Sequence, residues 1–390
     1  SILTPPSRLF EFQENHALCV ATLLYDTQSF NRVSAETAAH VMAPEDPSQV
    51  YPLYNTTFSL HRVTPLHTGS NEPLSNSRLR AFARQFRDIL AGEVLRGVRV
   101  GLGQDDDALA RVGALQSVTW RLLPEEETWS AEDETQMAND DTTISLAVCR
   151  GMIVTVTYEK MAYKAILLRD ERGDYPDASM VTVREETDGF QHFPLLLARM
   201  PGSLRETFSN FLMETFDTRV SALQFSSTYL TDAFERYVAN ISMGEDGEPL
   251  DMIERSRALR NTIKEVLVVV GFDIPGVSAC LKTIDINIAR EDLPRMVARG
   301  KKIGREGNAD SPFFDALATY IKGHMALDLR NEKVKIVRVA CGAFVLGAEG
   351  KIKLTYLPGG GDTESSRGAA TRRLVNGLIG QGAGGSLSAG

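Results

Sequence analysis

Polar and apolar residues alternate from Thr56 to Val63, and the run stops at Pro65 and Thr68-Gly69, which predicts a strand closed by a turn. The period then changes. From Asn76 to Ala91, Leu79, Phe82, Phe86, Ile89 and Leu90 make one helical apolar stripe, with Arg80, Arg84 and Arg87 largely outside it. Gly97 precedes a short strand, Val98 to Leu102. An antiparallel meander follows, with strands at Thr143–Val148, Ile153–Tyr158, Tyr163–Arg169 and Met180–Arg184. Thr155, Thr157 and Lys164 alternate with apolar neighbours, so one face of this meander meets solvent or another chain.

The middle of the chain reads as helical. Ser203 and Glu206 form a capping-box pair after Pro201, and Leu204, Phe208, Phe211 and Leu212 supply an apolar face. Asp217 to Phe225 is a strand or extended link. A second helix, Ser227 to Ile241, carries Leu230, Phe234, Tyr237 and Val238 on one side. In the last third, strands occupy about Thr262–Gly271, Lys282–Ala289, Val334–Leu346 and Lys351–Leu357. A helix from Pro312 to about Leu329 begins with Ser311 as cap and Pro312 at its first position. Gly347-Ala348-Glu349-Gly350 joins the final two strands as a hairpin.

Strands and helices come in blocks and do not strictly alternate, which predicts an α+β fold with antiparallel sheets and helices packed on one face. Residues 1–50 read as a poorly defined extension, although Ala17 to Tyr25 has strand character. An N-terminal α+β domain covers 51–245 and a C-terminal α+β domain covers 250–358. Residues 359–390, dominated by Gly, Ser and Ala, read as a disordered tail in which Thr371 to Ile379 folds on a partner.

Charge alters this picture in two places. Residues 125–141 hold eight acids and no base, which predicts a mobile surface insertion; they lack the intervals and central glycine of a calcium loop. The net charge of -9 also conceals a division. Residues 251–390 carry 21 Lys/Arg against 15 Asp/Glu, whereas residues 1–250 carry 21 against 36. The C-terminal part is therefore compatible with a polyanionic partner even though the whole chain is acidic. No stretch reaches the roughly 18 apolar residues that a membrane span requires, and Ser1 to Glu14 lacks the pattern of a secretory leader.

Catalytic and cofactor motifs are missing. There is no Walker A loop, no Gly-x-Ser-x-Gly elbow and no His-Glu-x-x-His pair. The four cysteines lie at least 60 residues apart, and the six histidines are scattered. Gly300-Lys301-Lys302-Ile303-Gly304-Arg305-Glu306-Gly307 has phosphate-loop composition without strand-before, helix-after context, and reads as a solvated basic loop. The expectation is a non-enzymatic protein with no cofactor, no metal and no small-molecule substrate.

The strand Tyr54-Asn55-Thr56-Thr57-Phe58-Ser59-Leu60-His61-Arg62-Val63-Thr64-Pro65-Leu66 resembles the opening strand of the centromere protein L (CENP-L) family in its filamentous-fungal form. Phe193-Pro194-Leu195-Leu196-Leu197-Ala198-Arg199-Met200-Pro201, followed by Leu204-Arg205-Glu206-Thr207-Phe208, is a second match. The resemblance runs from about Tyr54 to about Pro358. It implies an inner-kinetochore subunit of the CCAN network, located in the nucleus at the centromere. It also implies pairing with a centromere protein N (CENP-N)-like protein through C-terminal sheets, association with other CCAN subunits, and a basic channel for centromeric DNA. The alternatives are a stand-alone nucleic-acid-binding protein and an enzyme of unrecognised class.

Two surfaces carry this reading. On the final hairpin, Lys333 and Lys335 alternate with Val334 and Ile336, and Lys351, Lys353 and Thr355 alternate with Ile352, Leu354 and Tyr356. Such charges either block unwanted edge pairing or frame a strand-addition site. The resemblance points to this hairpin, so Lys333, Lys335, Val337, Val339, Lys351, Lys353 and Thr355 are the expected partner interface. The second surface gathers Arg255, Arg257, Arg260 and Lys264 with Arg299, Lys301, Lys302 and Arg305, which would track DNA phosphates without reading sequence.

Overall fold

The computed structural model describes residues 9–10, 19–24, 50–69, 74–95, 112–129, 149–170, 189–244, 248–272, 282–303, 311–356 and 362–384. In chain order the elements are β1 (Leu9–Phe10), β2 (Cys19–Leu24), β3 (Thr57–Val63), β4 (Leu66–His67), α1 (Asn76–Leu95), β5 (Leu115–Pro124), β6 (Cys149–Tyr158), β7 (Ala162–Leu168), β8 (Phe190–Gln191) and β9 (Leu195–Arg199). There follow α2 (Gly202–Phe216), β10 (Val220–Ala222), α3 (Ser227–Ile241), α4 (Met252–Thr262), β11 (Val266–Phe272), β12 (Thr283–Ile288), α5 (Leu293–Ile303), α6 (Pro312–Met325), β13 (Val334–Cys341), β14 (Phe344–Gly347), β15 (Lys351–Leu354) and α7 (Asp362–Gly382). The architecture is α+β, with strand ladders that are antiparallel throughout each sheet described below.

The chain divides into two compact units. The N unit comprises Ser48–Pro52, Thr56–Leu223 and Val375–Gly390; the C unit comprises Ser1–Pro47, Leu53–Asn55 and Gln224–Leu374. The division falls at Leu223, ahead of the expected break near residue 245. Helix α7 contributes its first part to the C unit and its last part to the N unit.

In the N unit, β3, β9, β7, β6 and β5 form the sheet in that order, and β10 pairs with the other edge of β3. Period-two alternation gives the sheet two apolar faces. Met152, Val154, Val156, Ala165, Leu167 and Leu196 lie on one, packed with Leu79, Phe86, Phe208 and Phe211 of α1 and α2. Trp120 of β5 joins this core, its ring 6.0 Å from that of Phe208. On the other face, Ile153, Ile166, Leu197 and Leu60 fall in one cross-strand row, all buried. His61, on the α2 side of β3, is buried beside Arg205; burial first, and then that positive charge, lower its pKa.

In the C unit, the sheet order is β1, β2, β12, β11, β13, β14 and β15. The strand character of Ala17–Tyr25 is thus realised as β2, which pairs with β12. Val268 sits between Ile286 and Val339, and the row continues through Leu346 to Ile352; every member is at or below 1% exposure. Tyr237 of α3 packs edge-on against Phe344 on this face, 5.1 Å between ring centroids. Ser226 caps α3 by accepting from the Tyr229 N–H at 3.1 Å, and Asp251 caps α4 by accepting from the Glu254 N–H at 2.7 Å.

Several sequence expectations change. The tail is not structureless: α7 is a helix, and Ala370, Leu374, Val375, Leu378 and Ile379 are buried within the chain itself. Residues 334–346 are two strands, turned where the Gly342 N–H donates to the Ile263 carbonyl at 2.6 Å. The basic stretch from Gly300 to Ile303 is the end of α5 and not a loop. Helix α2 starts at Gly202 with Pro201 at its cap, so Ser203 lies inside the first turn. The expected strands at Val98–Leu102, Thr143–Val148 and Met180–Arg184 lie outside the described residues. So does the acidic run beyond Trp129.

Candidate partner-binding surface

The expected interface residues separate once their register is known. Strand β13 pairs with β11 along its whole length and with β14 from Arg338 to Ala340. The outer side of β15 is also taken: the Asn55 N–H donates to the Leu354 carbonyl at 2.7 Å, and Asn55 Oδ1 accepts from the Tyr356 N–H at 3.1 Å. Strand addition requires an unpaired edge. At Arg338–Ala340 and at Leu354 the backbone is already engaged, so the hairpin offers a sheet face there in place of an edge.

A bulge decides which side chains share that face. The ladder between β11 and β13 slips between Val269 and Val270, leaving Val337 as the extra residue. Val337 therefore turns to the same side as Arg338 and packs with Leu267, Val269, Ala340 and Val345. Val339 falls on the opposite face, fully buried beside Leu346. Lys353 stands directly across from Val345, and Lys351 across from Gly347. Burial lowers the pKa of Lys353, as expected where its methylene stem lies along apolar neighbours. Lys335 is exposed at the end of β13, Thr355 is half-buried, and Lys333 lies in the preceding turn, its N–H donating to Asn331 Oδ1.

Two buried, opposite charges are set into this face. Asp285 of β12 and Arg338 of β13 both sit across from Val269. Burial raises the Asp285 pKa, opposed by the Arg338 charge; burial lowers that of Arg338, opposed by Glu349 and Asp285. The face is thus a small apolar cluster flanked by the opposite charges of Asp285 and Arg338 and rimmed by Lys335, Lys351 and Lys353.

The cation group also splits. Arg255 of α4 and Lys301 of α5 are neighbours: burial and the Arg255 charge lower the Lys301 pKa, opposed by Glu235. Arg257, Arg299 and Lys302 are exposed on the same two helices. Arg260 folds back onto its own helix, Nε donating to the Ser256 carbonyl at 3.1 Å. Lys264 is apart from these, at the far end of α4, where its stem lies against Gly342. Arg305 lies outside the described residues.

One buried acid escaped the sequence reading. Glu235, on α3, accepts a hydrogen bond from the Phe314 N–H at 2.9 Å and thereby caps α6. Its only sequence signal is its place between Phe234 and Tyr237 in an apolar stripe. Among the described residues, no three His, Cys, Asp or Glu side chains converge to hold a metal, and no helix is long and apolar enough to cross a membrane.

The model of one protein family, described as centromere protein L, matches residues 52–382 of the 390. No curated protein matches the chain. The match covers most of the sequence and both units, so the chain belongs to the centromere protein L family. Membership gives it a centromere and kinetochore role in chromosome segregation, in association with other kinetochore proteins in the nucleus.

Proposed function

We propose that this centromere protein L family member is a non-enzymatic scaffold of the inner kinetochore that pairs one-to-one with a CENP-N-like subunit and helps hold the CCAN on centromeric chromatin. The observation that carries the pairing is the sheet face at β11, β13, β14 and β15. Val337, Leu267, Val269, Ala340 and Val345 cluster there on the side away from α3. Leu267, Val269, Ala340 and Val345 are already only 2–7% exposed within the chain, so a partner sheet stacked there would add contact mainly at half-buried Val337 and along the stems of Lys351 and Lys353, with exposed Lys335 at the rim. Pairing is thus by face-to-face packing, with Asp285 and Arg338 setting orientation. The exposed cations of α4 and α5 would then face DNA phosphates.

Co-expression with the CENP-N-like protein of the same organism, followed by size-exclusion chromatography with light scattering, tests this reading. The expected result is a 1:1 complex that Val337→Glu abolishes while the circular dichroism of the free chain is unchanged. A complex that survives Val337→Glu refutes the face, and a chain that never forms one refutes the pairing.

A further inference from the structure

The last turns of α7 are held by what they touch, since their own composition opposes a helix. Three of the eight residues from Val375 to Gly382 are glycine, the weakest helix former after proline. The two glycines nearest the end differ. A Cβ on Gly382 would lie 2.5 Å from the Pro194 carbonyl oxygen, so close approach to the sheet requires glycine there. A Cβ on Gly380 would meet nothing within 4 Å. Packing does not demand glycine at 380, yet the helix is weakened by it.

Among the described residues, three apolar side chains and two arginines hold these last turns. Val375, Leu378 and Ile379 are buried. Arg62 Nη2 donates to the Gln381 carbonyl at 2.9 Å, one of the last carbonyls of the helix, where a cation also complements the helix dipole. Arg150 Nη2 donates to Asn376 Oδ1. Arg62 shares its side of β3 with Leu60, so the helix end sits on the face that carries the Leu60, Leu197, Ile166 and Ile153 row. A short glycine-rich segment with three apolar anchors and two arginine clasps has the character of a low-stability element laid over a stable sheet.

We propose that residues 375–382 are a releasable strap, which leaves and returns to this sheet face while β3, β9, β7 and β6 stay folded. Release uncovers apolar sheet surface; the solvent-facing glycine at 380 keeps the docked state weak enough for that to occur. This proposal concerns the N unit alone and does not depend on the pairing described above.

Hydrogen exchange of the full chain, followed by mass spectrometry, tests it through two substitutions of the same chemistry and opposite sign. Gly380→Ala should slow exchange across Val375–Gln381 about fivefold, the usual difference between glycine and alanine in a helix. Gly382→Ala should speed it at least tenfold by lifting the helix end from Pro194, and Arg62→Ala should act in the same direction. In all three variants the amides of Val154 and Ile166 should exchange as in the parent chain. If Val375–Gln381 exchanges in step with Val154 and Ile166, the segment opens only with the whole unit and the proposal fails. It fails equally if the two glycine variants shift exchange in the same direction.

Discussion

Glu235 offers the sharpest test of the packing in the C unit. Pro312 opens α6 without an N–H to donate, so the first donors of that helix are Phe313 and Phe314. Both bond toward Glu235, whose side chain is 6% exposed. Burial is the main reason its pKa rises from 4.5 to about 7; Asp315 and Asp232 push the same way, and the two N–H groups only partly oppose them. Lys301, on α5, is the cation facing it. A raised carboxyl pKa means that the folded chain holds a proton the unfolded chain has lost. Its stabilising contribution is complete below pH 4.5 and disappears as pH rises through about 7. The whole change is worth about 3 kcal/mol, at about 1.4 kcal/mol per pH unit where steepest. Glu235→Gln removes the titration and keeps a carbonyl oxygen for one N–H. After allowing about 1 kcal/mol for the weaker bond, the variant should be more stable than the parent by about 1–2 kcal/mol at pH 8. It should be equal or slightly less stable at pH 5. Urea unfolding followed by far-ultraviolet circular dichroism between pH 5 and 8 measures the difference. A difference that stays constant across that range would refute the buried, proton-holding cap.

Other outcomes follow from single contacts. Gly300→Ala should destabilise the C unit by about 1–3 kcal/mol, because a Cβ there collides with the Pro312 carbonyl where α5 crosses the start of α6; a thermal melt unchanged from the parent would contradict that crossing. Cys149 and Cys341 are buried, and burial pushes both thiols up to about 11. Neither should react with iodoacetamide at pH 7.5 in the folded chain and both should in urea, as read by peptide mapping. If α5 faces DNA, the double variant Lys301→Ala, Lys302→Ala should reduce the log–log salt slope of duplex binding by about 2, whatever the DNA sequence. An unchanged slope in fluorescence anisotropy would remove α5 from any DNA surface.

Local pattern revealed what depends on local pattern. The alternation of Thr56 to Val63 became β3, the Gly347–Gly350 turn became the β14–β15 hairpin, and the stripe around Phe234 and the start at Pro312 became α3 and α6. Helix α4 was hidden because only Ala258, Leu259 and Thr262 of its eleven residues are buried, which leaves no continuous stripe to detect. In β5, Leu115 to Thr119 is half-exposed on both sides, so alternation is weak. Helix α7 was masked by its glycines, since its helicity comes from tertiary packing that propensity does not record.

The register of the expected interface residues was out of reach of local pattern for a related reason. A lysine every second residue shows that one side of a strand meets water, but it carries no information on which neighbours take the backbone. Lys351 and Lys353 look the same in sequence whether β15 is an open edge or has Asn55 along it. Likewise, Val337 and Val339 are two apart and would share a face in any regular strand. The single slip between Val269 and Val270 sends one to the cluster with Val345 and the other beneath α3. That slip belongs to the pairing of β11 with β13, more than 60 residues apart in sequence. A surface defined by such long-range register is visible only after the sheet is assembled, which is why Val337, and not its lysine neighbours, is the residue on which the pairing proposal turns.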